Sequence, residues 1–205
     1  MLKKTAFTIM LSLTAVHAVA NNFPTTIETA AFGQGQTVTL EKHTLFDLVG
    51  TPIKAGDQMP SVNLLTSSLK QFDTTEQTGS IRVYSVLASV DTPVCVQQAI
   101  ELSNYINTHS KELAGIDFYA VSSDTPFAQQ RFINQHDLDS VTYLSDSVKH
   151  EFGYETGSQI EQLGLLTRSI IVTDRNNKII FIQRVPELTT IPDLIKAVEI
   201  AKASV

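Results

Sequence analysis

The chain has 205 residues, of which 42% are hydrophobic and 18% are charged, and this predicts one folded domain with a substantial core rather than a disordered chain. Its formal net charge at pH 7 is −6, and the sequence lacks the clustered cations that a nucleic-acid site or an anionic membrane surface requires. The single cysteine excludes an intramolecular disulfide, a CxxC redox pair and a cysteine-rich zinc site, and the histidines have no metal-ligand spacing, so no metal or other cofactor is predicted.

Residues 1–20 have the pattern of a secretory signal peptide. Lys3 and Lys4 give a positively charged start, an apolar run follows from Ala6 to Val16, and the segment 18–20 is an Ala-Val-Ala cleavage site. The apolar run is too short to cross a bilayer, which needs about 20 residues. The sequence therefore predicts an exported protein, periplasmic or secreted, that is not held in a membrane.

The segment that follows is predicted to contain a leader and a hairpin. Residues 21–36 are polar, contain glycine and show no clear period, which predicts a flexible leader. Alternation from Thr37 to Leu48 predicts an N-terminal β-hairpin with Glu41 and Lys42 at its turn. The folded domain is accordingly predicted to cover residues 37–205.

The rest of the chain alternates between short apolar runs, typical of buried strands, and amphipathic helices. The predicted elements are strands at Val62–Leu65, about Leu69–Phe72 and Val83–Leu87, a helix from Pro93 to about Gly115, a strand at Ile116–Val121, a helix from Pro126, a strand at Val141–Leu144, a short helix at Ser147–Phe152, strands at Ser169–Thr173 and Ile179–Val185, and a helix from Pro192 to Ala203. Strand, helix and strand at this spacing imply a right-handed parallel crossover, and the tight polar turn after Thr173 makes the last two strands antiparallel. This order predicts an α/β domain of the thioredoxin-like fold.

Cys95 lies at the start of a predicted helix, directly after a predicted buried strand. Thr92 is a favoured N-cap residue and Pro93 suits the first helical position, so Cys95 falls in the first turn. Backbone N–H groups and the helix dipole favour an anion there, and the thiolate is the nucleophilic form of cysteine. An unpaired cysteine in an exported protein is either a small buried hydrophobe or a reactive thiol, and this position favours the reactive thiol.

The segment from Ser89 to Cys95, which reads Ser-Val-Asp-Thr-Pro-Val-Cys, resembles the active-site segment of the thiol peroxidases, a branch of the peroxiredoxins. The resemblance continues, in the family's order and spacing, through residues 123–132, 168–174 and 185–193. It implies a thioredoxin-like peroxiredoxin fold with the N-terminal β-hairpin as an extension.

The resemblance also implies an activity. The Cys95 thiolate would attack hydrogen peroxide or an alkyl hydroperoxide and become a sulfenic acid. Thr92 and Arg168 match the family's other catalytic positions, and Val94 and Phe127 are candidates for an apolar substrate-binding rim. Members of the family commonly form homodimers, so a homodimer is expected.

Two positions depart from the family's pattern. Ala88 stands where the peroxiredoxin motif has a proline, and Ile133 stands where thiol peroxidases typically carry a resolving cysteine. Without a second thiol, the sulfenic acid must be reduced by an external thiol or a thioredoxin-like reductant. The departures leave open an alternative, a catalytically impaired protein of the same fold that senses redox state or binds a partner. Asp91 and Asp124 each lie beside a helix start and are predicted to stabilise those helices rather than to act in catalysis.

Overall fold

The computed structural model describes residues 22–76 and 78–205, so the predicted signal peptide at residues 1–20 lies outside the described residues. The strands are β1 (Thr25–Thr26), β2 (Thr37–Leu40), β3 (Thr44–Val49), β4 (Asn63–Thr66), β5 (Gln71–Asp73), β6 (Ile81–Val86), β7 (Ile116–Ser122), β8 (Thr142–Ser145), β9 (Gln159–Ile160), β10 (Leu165–Leu166), β11 (Ser169–Thr173), β12 (Ile179–Arg184) and β13 (Ile191–Pro192). The helices are α1 (Pro93–His109), α2 (Pro126–His136), α3 (Glu151–Thr156) and α4 (Leu194–Lys202). Within the described ranges, no helix has both the length and the apolar character needed to cross a membrane.

A seven-stranded mixed sheet forms the centre of the domain, in the order β12-β11-β6-β7-β8-β4-β5. Strands β6, β7 and β8 are parallel, and β11 runs antiparallel to both β6 and β12. Every residue of β6 is buried, as expected for a central strand that is covered on both faces. The predicted α/β arrangement, including the parallel crossover and the antiparallel pair near the C-terminus, is confirmed.

Apolar clusters cover both faces of the sheet, because successive residues of a strand point to opposite sides. Val83 and Leu87 contribute to one cluster, which also contains residues from α1, α2 and α4. Tyr84 and Val86 contribute to the other cluster, which includes Phe152 of α3. Helices α1, α2 and α4 therefore lie on one face of the sheet, and α1 contacts β6, the strand that precedes it.

The predicted N-terminal hairpin is confirmed. Strands β2 and β3 pair antiparallel, and the turn residues Glu41 and Lys42 have φ values of 54° and 60°. The buried Glu187 side chain accepts hydrogen bonds from both turn N–H groups and from the Thr39 hydroxyl. This carboxylate joins the hairpin to the loop after β12. Leu188, the residue that follows Glu187, lies at the candidate site.

Residues 22–36 are packed against the domain instead of forming the flexible leader that their composition predicts. Strand β1 pairs in parallel with β13, and Phe32 is buried in the second apolar cluster. The buried Arg184 guanidinium donates a 2.7 Å hydrogen bond to the carbonyl of Ala31. A few apolar anchors and backbone hydrogen bonds hold the segment, and such isolated contacts leave no periodic signal in a sequence.

Several short elements also differ from the prediction. The helix expected at 147–152 begins only at Glu151, and the short strands β9 and β10 were not predicted. Helix α4 begins at Leu194, where the Asp193 side chain accepts a hydrogen bond from the N–H of Lys196. The boundaries move because capping and tertiary pairing, rather than propensity, set the ends of short elements.

Candidate active site

Cys95 is the third residue of α1, as predicted, and its side chain is completely buried. Pro93 begins the helix, and the carbonyl of Thr92 accepts a 3.1 Å hydrogen bond from the N–H of Val96. The sulfur therefore lies in the first turn, where unpaired backbone N–H groups and the helix dipole favour negative charge.

The structure brings the Arg168 side chain to the Cys95 sulfur, although the two residues are far apart in the sequence. Arg168 immediately precedes β11 and is 1% exposed. Its Nη1 donates to Cys95 Sγ at 3.3 Å and to Gln98 Oε1 at 2.7 Å, and its Nε donates to the Leu188 carbonyl at 3.3 Å. The guanidinium is held on two sides and points at the sulfur.

Gln98 is a site residue that the sequence prediction missed. It lies one turn after Cys95 on the buried side of α1, and its Nε2 donates to Ser85 Oγ of β6 at 2.8 Å. This bond fixes the side-chain amide so that its oxygen faces Arg168. The available signal was a polar residue three positions after the cysteine on a helix face that is mostly apolar.

Arg168 places a buried positive charge beside the Cys95 sulfur. Among the described residues, Arg168 forms no salt bridge, and its acceptors other than the sulfur are the neutral oxygens of Gln98 and Leu188. A buried cation is costly unless a charge of opposite sign accompanies it. A Cys95 thiolate supplies that charge and converts the 3.3 Å contact into a charge-assisted hydrogen bond.

Tyr143 of β8 lies near the sulfur. Burial raises the pKa of its phenol, and the negative charge of a Cys95 thiolate raises this pKa further. The ring packs edge-on against Phe132 of α2, with 5.8 Å between the ring centroids. Tyr143 is therefore a neutral wall of the site at physiological pH.

Thr92 is the N-cap residue of α1, as predicted, but its side chain makes no capping hydrogen bond to the helix. Its hydroxyl donates a 3.0 Å hydrogen bond to the carbonyl of Ser89, within the loop that leads into the helix. A threonine hydroxyl competes for nearby backbone groups in this way whenever the loop offers a carbonyl at the right distance. Thr92 is half-buried and lies three residues before the cysteine.

The two aspartates beside the helix starts hold the loop rather than the helices. The Asp124 carboxylate accepts from Ser89 Oγ at 2.9 Å and from the N–H of Val90 at 2.8 Å, while Thr125 is the residue that caps α2. Asp91 forms an exposed 3.0 Å salt bridge with Arg131 of α2. Neither aspartate is the N-cap residue of the helix beside it, because the Asp124 carboxylate binds the loop and the Asp91 carboxylate binds the Arg131 side chain.

The two residues of the predicted substrate rim differ in exposure. Val94 is buried in the same apolar cluster as Cys95, so its side chain packs inside the domain and does not form a rim. Phe127 of α2 is 71% exposed. Ala88 and Ile133, which occupy the two positions that depart from the family pattern, are both buried in the cluster that contains the sulfur.

A groove of about 930 Å³ runs between α1 and α2 beside the loop. Its lining includes Val90, Pro93 and Val96 on one side and Arg131 and Phe132 on the other. In the described part of the chain, no group of three or more His, Cys, Asp or Glu side chains is arranged to hold a metal ion. The Cys95 thiol and the Arg168 guanidinium, which lie next to each other in the interior, suit chemistry at the sulfur itself.

Comparisons with known proteins identify the family of the chain. A family model described as Redoxin matches residues 54–198. The chain is 37% identical to a thiol peroxidase of Bacillus subtilis over 158 residues, which cover 77% of this chain and 92% of that protein. It is 35% identical to a thiol peroxidase of Clostridium acetobutylicum over 171 residues, 83% of this chain and 96% of that protein. The resemblance to the thiol peroxidases is confirmed.

Solved structures give the same fold. A peroxiredoxin-like protein from Aquifex aeolicus superposes with a TM-score of 0.76 at 28% sequence identity, covering 84% of this chain and 99% of that chain. A thiol peroxidase from Chromobacterium violaceum superposes with a TM-score of 0.73 at 16% identity, covering 83% of this chain and 97% of that chain. The predicted thioredoxin-like peroxiredoxin fold is confirmed.

Proposed function

The chain belongs to the Redoxin family and is a thiol-dependent peroxidase, and on that premise we propose that Cys95 is the sulfur that reduces the peroxide and that it acts without a second cysteine. The observation that carries the proposal is the 3.3 Å contact from Arg168 Nη1 to Cys95 Sγ. This contact joins a buried guanidinium to the single thiol of the chain at the N-terminus of a helix. Each of these features stabilises the nucleophilic thiolate.

The reaction transfers two electrons from sulfur to the peroxide. The Cys95 thiolate attacks one peroxide oxygen, an S–O bond forms, and the O–O bond breaks. The departing oxygen leaves as hydroxide or alkoxide and takes a proton from water, which gives water or an alcohol and a Cys95 sulfenic acid. Arg168 stays beside the reacting centre throughout and stabilises charge as it moves from sulfur to the leaving oxygen. The Thr92 hydroxyl is the second proposed donor, after it turns away from the Ser89 carbonyl.

Recycling requires an external reductant because Cys95 is the only cysteine. One thiol of the reductant attacks the sulfenic sulfur and releases water, forming a mixed disulfide. A second thiol then attacks this disulfide, releases the Cys95 thiolate and leaves the reductant oxidised. A thioredoxin-like protein or a small thiol fills this role.

Access to the sulfur favours small peroxides, since Cys95 is completely buried. For alkyl hydroperoxides we propose that Phe127 supplies an apolar surface. It lies one helical turn before Arg131, which reaches the loop through Asp91, so both side chains are on the side of α2 that faces the loop. We expect Phe127→Ser to lower the oxidation rate with a bulky alkyl hydroperoxide more than the rate with hydrogen peroxide.

We also propose that the protein is exported and forms a homodimer. The pattern of residues 1–20 supports export. Expression with the native N-terminus should yield a protein whose intact mass corresponds to a chain that begins at Asn21. Light scattering of that protein should give twice the mass of one chain. An uncleaved chain or a monomer would contradict the respective proposal.

The central experiment exposes residues 21–205 to less than one equivalent of hydroperoxide and follows intact mass. We expect rapid gain of one oxygen atom, and we expect Cys95→Ser to abolish it. Dimedone should trap the oxidised form as a sulfenic acid adduct. Oxidation no faster than that of free cysteine would contradict the proposal and favour a redox-sensing or binding role.

A further inference from the structure

The loop from Ser89 to Thr92 joins β6 to the helix that carries Cys95, and one carboxylate holds it. Asp124 accepts from the Ser89 hydroxyl through Oδ1 at 2.9 Å and from the Val90 N–H through Oδ2 at 2.8 Å. Both carboxylate oxygens are therefore committed to adjacent residues of this loop. Ser89 Oγ in turn accepts from the N–H of Asp91 at 3.3 Å, which tightens the same turn.

Asp124 is itself fixed by the central sheet. It follows β7, and its carbonyl accepts a 2.6 Å hydrogen bond from the hydroxyl of Ser145 at the end of β8. Since β6, β7 and β8 are parallel, their carboxyl ends meet at one edge of the sheet. Asp124 links all three ends there, so the loop takes its position from the central strands of the sheet.

The contacts continue from Ser89 to the sulfur. The Ser89 carbonyl accepts from both the N–H and the hydroxyl of Thr92, at 3.2 Å and 3.0 Å. The Thr92 carbonyl accepts from the N–H of Val96 and so begins α1. An unbroken series of hydrogen bonds thus joins Asp124, Ser89, Thr92 and the turn that contains Cys95.

Val90 of this loop is buried in the apolar cluster that contains Cys95, whereas the polar restraints other than Asp124 are weak. Ala88 at its start leaves φ free, whereas proline would fix it. The salt bridge between Asp91 and Arg131 is exposed on both sides, and exposed pairs of this kind contribute little. Asp124, which is half-buried and bonded to a side chain and to the backbone, is the stronger restraint.

We propose that Asp124 is a positioning residue for peroxide reduction, acting through Ser89 to place the backbone of Thr92 and the first turn of α1 around Cys95. This inference rests on the proposed function of Cys95. The reaction requires the sulfur, the guanidinium and the hydroxyl to be placed together, and a displacement of about 1 Å in such an arrangement can cost about 100-fold in rate.

The experiment compares Asp124→Ala, Asp124→Asn and Asp193→Ala with wild type. Asparagine can keep both contacts, because its oxygen can accept from Val90 and its amide can donate to Ser89 Oγ. Asp193 is the matched control, since it is a half-buried aspartate that accepts a 3.0 Å backbone hydrogen bond at the start of α4. Two rates are measured for each protein, oxidation of Cys95 by hydrogen peroxide and alkylation of Cys95 by iodoacetamide, with urea unfolding to establish that each variant is folded.

We expect Asp124→Ala to slow oxidation about 10- to 100-fold without slowing alkylation, because alkylation needs a thiolate but not the donors aimed at the peroxide. Asp124→Asn should remain within about threefold of wild type, and Asp193→Ala should match wild type in both rates. Three results would overturn the inference: an unchanged oxidation rate in Asp124→Ala, equal loss of both rates, or an asparagine variant as slow as the alanine variant. Wild-type oxidation no faster than that of free cysteine would instead overturn the proposed function and this inference with it.

Discussion

Replacing Arg168 tests whether its guanidinium drives the reaction at Cys95. Arg168→Met keeps the length of the side chain but removes its charge and its donors, and Arg168→Lys keeps the charge but loses the planar fork that contacts the sulfur, Gln98 and Leu188 together. Arg82→Lys is the matched control. Arg82 is also buried, but it lies away from the site. In the pairing of β6 with β11 it is opposite Thr173, whereas Ser169, the residue after Arg168, is at the other end of the pair.

The expected magnitude follows from the contact distance. At 3.3 Å and an effective dielectric constant of about 20, two unit charges attract each other by about 5 kcal/mol. Part of this attraction is lost as charge moves to the leaving oxygen, and a single preorganised donor typically contributes about 3 to 4 kcal/mol to a transition state. We therefore expect Arg168→Met to lower the second-order rate constant of Cys95 oxidation by about 10² to 10³. Arg168→Lys should fall between Met and wild type.

The chain contains no tryptophan, so oxidation is best followed by rapid quenching and intact mass rather than by indole fluorescence. The rate is taken from the gain of one oxygen at several peroxide concentrations, and urea unfolding establishes that each variant is folded. Arg82→Lys should stay within about threefold of wild type. If folded Arg168→Met is oxidised within about threefold of the wild-type rate, the argument that the buried guanidinium stabilises the reacting charge is refuted.

Two further predictions concern stability. Burial raises the pKa of Asp146 from its ordinary value of 3.8 to about 6 in the folded protein, so the folded state binds this proton more tightly than the unfolded state does. The free energy of unfolding should therefore fall as the pH rises from about 4 to 6, by at most about 3 kcal/mol. Urea unfolding between pH 4.5 and pH 7 should show this trend, which Asp146→Asn should flatten; an identical slope in the variant would contradict the assignment. Glu187→Ala should lower the free energy of unfolding by about 2 kcal/mol or more, because it leaves the N–H groups of Glu41 and Lys42 without the carboxylate that accepts from them. Hydrogen exchange at these two amides should accelerate more than at other amides. Unchanged exchange at both amides would contradict that account.

The sequence predicts the central part of the domain well for a physical reason. Buried strands such as β6 and β7 are continuous apolar runs, and α1 begins at a proline that suits a first helical position. These signals are local. The pairing of Cys95 with Arg168 is not local, and it was predicted only because the segments around both residues resemble the thiol peroxidases.

The parts that were mispredicted depend on contacts between distant segments. Asp124 lies at a helix start, where an acidic residue usually stabilises the helix. The loop after the neighbouring parallel strand β6 instead brings Ser89 and Val90 within hydrogen-bonding distance of its carboxylate. Gln98 lies on α1 and acts through Arg168, which immediately precedes β11 and is far from it in the sequence. No pattern along one segment contains this information, because it arises only when three strand ends meet.

The parallel pairing of β1 with β13 joins the first described residues to a segment close to the C-terminus. Such a pair has a very high sequence separation, so its formation has to wait for a segment that is synthesised long after β1. The pairing of β1 with β13 is therefore a late step in the folding of the domain.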